Sequence, residues 1–329
     1  MNINYFTLCW GDKYFKNLYN LSLKSFFSKK PNNFEKFNHN FFIFTDNKQS
    51  IFKKKIKNFF KKKKINLNFV DFSKEINLVK EKKISVWKNL GKFELHSINY
   101  SYKNKAKCIF LYPDEIHSEN LFSVILKNWK KNLILIPSNE VNIKKIKFKL
   151  FNSLNKNQGA ISEKKMVSMI NKGSLDFVKY AFVDEKYYNS HNSRYYLLYK
   201  NILYFKNIHL ATKFLDPNIF FKKNSFLQEF YTTDVTLSNK DLNKKIIYPQ
   251  EGIIFSLEES EEKELKKYYI KNKFLLLFFR IAYQLRFSFN HKDGIDPFSY
   301  LRTFKVKTKI KSHSSCLNKF IFFDLFSYI

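Results

Sequence analysis

Short apolar runs alternate with stretches of helical spacing over the first 140 residues. Tyr5-Phe-Thr-Leu-Cys-Trp10 is an apolar run stopped by Gly11, the mark of a buried strand. Tyr14, Leu18, Leu21 and Phe26 then recur at helical spacing between Lys13 and Phe27. Phe41–Thr45, closed by Asp46, and Ile65–Phe72 read as second and third strands, with a Lys-rich helix between them. A polar helix is expected from about Val86 to Lys103. Cys108–Tyr112, ended by Pro113-Asp114, reads as a fourth strand. A helix follows over Glu119–Trp129, then a fifth strand over Leu133–Ile136, stopped by Pro137. Such alternation predicts an α/β fold, a mainly parallel sheet flanked by helices. Ligands of these sheets bind beyond the carboxyl ends of the strands, so Gly11, Asp46 and Asp114 point to one rim.

Beyond Ile161 the pattern becomes irregular. Ser162 reads as an N-cap, Gly173 as a helix stop, and Ile202–Phe205 as a short strand before Asn207-Ile-His209-Leu. Ser256-Leu-Glu-Glu259 has the form of a capping box, opening a helix that would run to about Phe289. The expected division is a catalytic domain over 1–216 and a mostly helical extension over 217–329. No internal repeat and no Pro/Gly/Ser linker separates them.

Composition changes this picture in two respects. Sixty Lys+Arg against 28 Asp+Glu leave a net charge of +32, a field that favours anionic partners. The same chain is rich in Phe, Tyr, Asn and Ile and has six Gly and six Pro, the pattern that A/T-rich codon usage would produce, and such a bias would also supply much of the lysine. Second, three cysteines, Cys9, Cys108 and Cys316, are too few and scattered for a disulfide framework or zinc site, which implies a reduced, intracellular setting. Tyr5–Trp10 lacks the basic flank of a secretory signal, and Phe274–Phe279 is interrupted by Arg280 before it could span a membrane.

Tyr112-Pro-Asp114-Glu115-Ile-His117-Ser118 carries the most chemistry. An acid directly after an apolar strand can hold a divalent cation against a diphosphate, although an acid so placed more often caps a helix, here the one near Ser118, or merely ends the strand. Neither a dinucleotide fingerprint nor a Walker loop occurs, which argues against a nicotinamide enzyme or an NTPase.

The order Thr7-Leu-Cys-Trp10-Gly11-Asp-Lys-Tyr14, Phe42-Ile-Phe-Thr-Asp46, Lys92 and Phe110-Leu-Tyr-Pro-Asp114 resembles bacterial GT-A glycosyltransferases. The resemblance covers roughly residues 1 to 220. It implies a nucleotide-sugar donor bound by Thr7, Trp10, Gly11, Tyr14, Asp46, Lys92 and Asp114. It also implies a divalent cation, Mn²⁺ or Mg²⁺, held by Asp114 in the DxD region and by His209. The second acid of that region is missing, since Tyr112 and Ile116 stand two places from Asp114, and this puts metal dependence in question. No general base is singled out among Glu140, Asp184, Glu185 and Asp234. The implied acceptor is a glycan or lipid-linked hydroxyl in surface polysaccharide synthesis. The enzyme would be cytoplasmic, at the inner face of the membrane.

The tail from Phe274 to Phe289, with Arg280 and Arg286, would suit contact with an anionic membrane surface or packing as a core helix. Two other functions stay open. One is a basic, non-catalytic nucleic-acid-binding protein, disfavoured because the lysines are spread along the chain and no recognition motif occurs. The other is a GT-A-like domain that has lost activity.

Overall fold

The computed structural model describes residues 1–46, 50–173, 187–188, 194–199, 202–207, 210–221, 244–247, 251–258, 268–269 and 303–307. The fold is mixed α/β, with a mainly parallel central sheet flanked by helices.

The chain opens with β1 (Asn2–Leu8) and α1 (Gly11–Asn17). A π-helical turn over Leu18–Leu23 leads to α2 (Lys24–Phe26). Next come β2 (Asn38–Thr45), α3 (Ile51–Lys63), β3 (Asn66–Asp71), α4 (Ser73–Lys80), α5 (Val86–Lys103) and β4 (Ala106–Phe110). After β5 (Glu115–His117) and α6 (Leu121–Lys127) lie β6 (Leu133–Asn142), α7 (Ile143–Lys156) and α8 (Glu163–Gly173). The remaining described elements are β7 (Tyr187–Tyr188), β8 (Arg194–Tyr199), β9 (Ile202–Asn207), β10 (Leu210–Leu215), α9 (Asn218–Phe221), β11 (Lys244–Ile246), β12 (Ile254–Glu258), β13 (Tyr268–Tyr269) and β14 (Thr303–Lys307).

Among the described residues, nine strands form the main sheet in the order β3-β2-β1-β4-β10-β6-β12-β5, with β11 also paired to β6. Neighbours from β3 to β4 are parallel, and β10 runs antiparallel to both β4 and β6. The sheet therefore takes two strands, β11 and β12, from beyond residue 216.

Alternation along the parallel strands sends side chains to two cores. Ile3, Tyr5, Phe41, Ile43 and Ile109 pack with α1, α2, α3 and α6 on one face. Phe6, Phe42, Phe44 and Phe110 pack with Phe93 and Ile98 of α5 on the other. Ser50 accepts a hydrogen bond from the Phe52 N–H at the start of α3, and Lys64 ends that helix in the left-handed region at φ 57°. Only Ile56 and Phe60 of α3 are fully buried, so most of its lysines are solvated.

Two expectations are corrected. Pro137 does not stop the fifth strand, which continues to Asn142. Pairing with β11 ends at Leu135 and pairing with β12 begins at Ser138, so Pro137 falls in the gap on that side, where the missing N–H leaves no ladder bond unmade. Nor does Ser256 cap a helix. It lies within β12, paired to Glu140 on one side and Glu115 on the other. Ile253, Ile254 and Phe255 are fully buried, and two neighbouring strands hold this run extended against its local cap signal. The expected helix is also interrupted by β13, which pairs with β7. Phe274–Phe289, with Arg280 and Arg286, lies outside the described residues. Among the described residues, no helix is long and apolar enough to cross a membrane.

Candidate functional site

The order 3-2-1-4 reverses direction at β1, making the carboxyl ends of β1 and β4 a topological switch point, the place where open α/β sheets bind ligands. Thr7, Trp10, Gly11 and Tyr14 end or follow β1, Asp46 follows β2, and Asp114 follows β4, all on this one rim.

Gly11 starts α1 at φ +72°, a left-handed conformation that glycine adopts without strain. The rings of Trp10 and Tyr14 lie 5.3 Å apart at 39°, and Tyr14 is 38% exposed, leaving an aromatic ledge beside the strand end. Asp46 is almost buried. Its Oδ2 accepts from Lys80 Nζ at 3.0 Å, and its main-chain oxygen accepts from Lys53 Nζ at 3.2 Å.

α5 runs back across the sheet from this rim. Its far end is tied to β1 by Asn4 Nδ2 donating to Ser101 Oγ at 3.0 Å. Its near end meets the loop after β4, where the Tyr112 hydroxyl donates to Glu94 Oε1. Asn89 and Glu94 are buried on the sheet-facing side, and Lys92, between them, is half-buried.

The turn carrying Asp114 is fixed from behind. Glu115 Oε2 accepts from the Tyr112 N–H at 3.0 Å and from Lys213 Nζ, and Lys213 also donates to the Phe110 carbonyl at 3.1 Å. His117 Nε2 lies 3.4 Å from Glu115 Oε2, and the His117 N–H donates to Ser25 Oγ at 3.1 Å. The Leu257 N–H of β12 donates to the Asp114 carbonyl at 3.0 Å. The Asp114 side chain itself is half-buried.

Burial alone would raise the Glu115 pKa. The ammonium of Lys213 and the contact with His117 outweigh it and bring the value down to about 2. Burial pushes His117 and Lys213 down, and for Lys213 the attraction of Glu115 opposes this. Burial pushes the Cys108 thiol up to about 12 and raises Cys9 well above its ordinary value, so neither offers a thiolate nucleophile.

Three buried groups near this rim have side-chain atoms without a hydrogen-bond partner among the described residues: Thr7 Oγ1, Asp46 Oδ1 and both amide atoms of Asn89. Leaving such a group unpaired costs about 1–3 kcal/mol, and the burial of all three places these atoms in the interior behind the rim.

As a cation site the described donors are incomplete. Asp114 offers a hard carboxylate oxygen of the kind Mg²⁺ and Mn²⁺ take. Ile116, where a second acid would stand, is fully buried in β5, and Glu115 is engaged by Lys213. His209 lies outside the described residues, and among those described no group of three His, Cys, Asp or Glu side chains converges. Of the candidate bases, Glu140 belongs to β6, while Asp184, Glu185 and Asp234 lie outside the described residues.

Lys213 and Glu94 were not singled out from sequence. Lys213 carried a signal, a lone charge inside the apolar run Leu210–Leu215. Glu94 carried none that separates it from any polar helix residue.

No protein-family model matches the chain, and no curated protein matches it. Among solved structures it is similar to S. aureus TarS 1-349 in complex with UDP, at 12% identity over 43% of this chain and 37% of that chain, TM-score 0.29. It is similar to mouse xyloside xylosyltransferase 1, at 11% identity over 48% and 59%, TM-score 0.30. It is also similar to core-mannan synthase A from Aspergillus fumigatus in a Mn/GDP form, at 11% identity over 84% and 82%, TM-score 0.36. The chain spans only 37% of the length of the TarS structure it matches.

Proposed function

We propose that this chain is a glycosyltransferase of GT-A type, moving a sugar from a nucleotide-sugar donor to a hydroxyl of a glycan or lipid-linked acceptor. The pathway would be surface polysaccharide assembly at the inner face of a bacterial membrane. The observation that carries this reading is the turn bearing Asp114, clamped by Lys213, Glu115 and Tyr112 at the switch point of the sheet.

The base would lie against Trp10 and Tyr14, with Thr7 and Asp46 shaping the strand ends beneath the nucleoside. Transfer forms a bond from the acceptor oxygen to the anomeric carbon. The bond to the diphosphate breaks, its electron pair leaves with the nucleotide, and the acceptor proton passes to a base. A bound Mn²⁺ or Mg²⁺, held by Asp114 and by His209, would neutralise the charge gathering on the departing diphosphate. Lys92 would add positive charge from α5.

A thermal-stability screen with UDP-, GDP-, CMP- and dTDP-sugars tests the reading. A donor that binds only the native state raises the melting temperature by mass action, by about 2.7 kcal/mol of stability at a hundred times its Kd. No shift with any of them overturns it. A shift without transfer to any acceptor would mark a GT-A-like domain that has lost activity, an outcome that the missing second acid at Ile116 permits.

A further inference from the structure

At the opposite rim, where the parallel strands begin, β1, β2 and β3 present a block of asparagines on the α5 face. Asn2 pairs in register with Asn38, Asn4 with Asn40, and Asn40 with Asn66, while Asn68 stands beside Phe42. These residues, with Tyr100, line a groove of about 400 Å³, within the roughly 300–1,000 Å³ of small-molecule sites.

The amides are ordered by one another. Asn40 Nδ2 donates to Asn4 Oδ1 at 3.3 Å, and Asn66 Nδ2 donates to Asn40 Oδ1 at 3.1 Å. Asn38 Nδ2 donates to Asn2 Oδ1 at 3.2 Å. Each amide has two N–H donors and two acceptor lone pairs, so these bonds fix its orientation and leave capacity for a ligand. Asn38, Asn66 and Asn68 are exposed. Tyr100 meets Phe42 edge-on with ring centroids 4.8 Å apart and stays 39% exposed, so its ring is anchored yet accessible.

None of the ten lining residues is charged, in a chain of which 27% is. An anionic ligand would find no cation here, and an apolar one would leave the amides unpaired. Paired donors and acceptors beside an aromatic ring complement a neutral chain of hydroxyls with apolar C–H faces.

From these observations we infer that the asparagine groove is a second binding site, for a neutral oligosaccharide. Strands rise about 3.3 Å per residue, so the groove lies roughly 15–20 Å from the Asp114 rim. On the glycosyltransferase reading, it would hold a distal part of the acceptor or product glycan. Binding in the groove itself does not depend on that reading.

The test uses the full chain on an array of neutral and anionic oligosaccharides, followed by calorimetry of the best binder. A neutral oligosaccharide should bind and shift asparagine side-chain amide signals in NMR spectra. Asn68→Ala and Tyr100→Ala, both at exposed positions, should each weaken it about tenfold or more. Asp114→Ala should leave this binding unchanged. Folding of each variant is checked by its melting temperature, and the nucleotide-sugar shift is read separately, so failure of the groove and failure of the donor site are distinguishable. Binding only of anionic glycans, no binding at all, or neutral-glycan binding unaltered in both folded groove variants would overturn the inference.

Discussion

Lys213 and Glu115, 98 residues apart in sequence, form a fully buried ion pair between the strand inserted beside β4 and the turn that carries Asp114. Removing one partner leaves the other charge unmatched in the interior. Lys213→Met should therefore cost about 3–5 kcal/mol in urea unfolding, and the double variant Lys213→Met/Glu115→Gln should recover most of it. Additive losses would show that the two groups do not act as a pair.

Asp114→Asn keeps the size of the side chain and removes its charge. On the proposed function it should lower kcat about a hundredfold or more with an unchanged melting temperature. If the cation is real, chelation should abolish wild-type transfer and added Mn²⁺ should restore it. Activity indifferent to chelators would remove the metal and leave Lys92 to meet the diphosphate alone.

Stability should fall as pH drops below about 6.5. His117 and His39 are both held below their ordinary pKa by burial, so the unfolded chain takes up protons that the native chain refuses. His39 is already satisfied when neutral, with Nδ1 2.8 Å from the Tyr5 hydroxyl and Nε2 2.9 Å from the Phe34 carbonyl. Glu115 adds a second loss, beginning below its ordinary pKa of 4.5 and complete only near its native value of about 2. Urea midpoints measured from pH 7.5 to 4 should decline, less steeply in His117→Gln. A midpoint that rises on acidification contradicts both histidine assignments.

Two glycines should separate backbone strain from crowding. Gly11 has φ +72° with nothing within 4 Å of a would-be Cβ, so Gly11→Ala should cost about 1 kcal/mol, the strain of the left-handed conformation. Gly159 has φ +93°, and a Cβ there would stand 2.2 Å from the Lys24 carbonyl oxygen. Gly159→Ala should lose several times more stability in the same denaturation assay. Equal losses would mean that the contact with Lys24 relaxes freely.

The sequence announced the sheet because β1, β2 and β4 each carry a run buried on both faces that reads as unbroken apolar sequence, stopped by Gly11, Asp46 or Pro113, whereas the edge strand β3 shows only as alternation. The rim was legible for the same reason, since the residue that ends each run is also the residue at the edge. What stayed hidden depends on partners distant in the chain. Ser256 carries a sound local cap signal, and only pairing with Glu140 and Glu115 shows it to be strand. Pro137 breaks a strand in isolation, yet here it falls where β6 changes neighbours. Lys213 looks misplaced in an apolar strand until Glu115 is set against it.

The insertion of β10 between β4 and β6 also has a bearing on how the molecule is made. About a hundred residues separate Phe110 from Leu210, so the open edge of β4 waits for its partner while they are synthesised, on the order of 5–20 s at common rates of translation. Throughout that interval a nascent chain carries an unpaired apolar strand edge, a template for the wrong neighbour. The yield of soluble protein should then depend on how fast ribosomes deliver residues 210–215, and slowing translation upstream of Leu210 should favour aggregates over folded product.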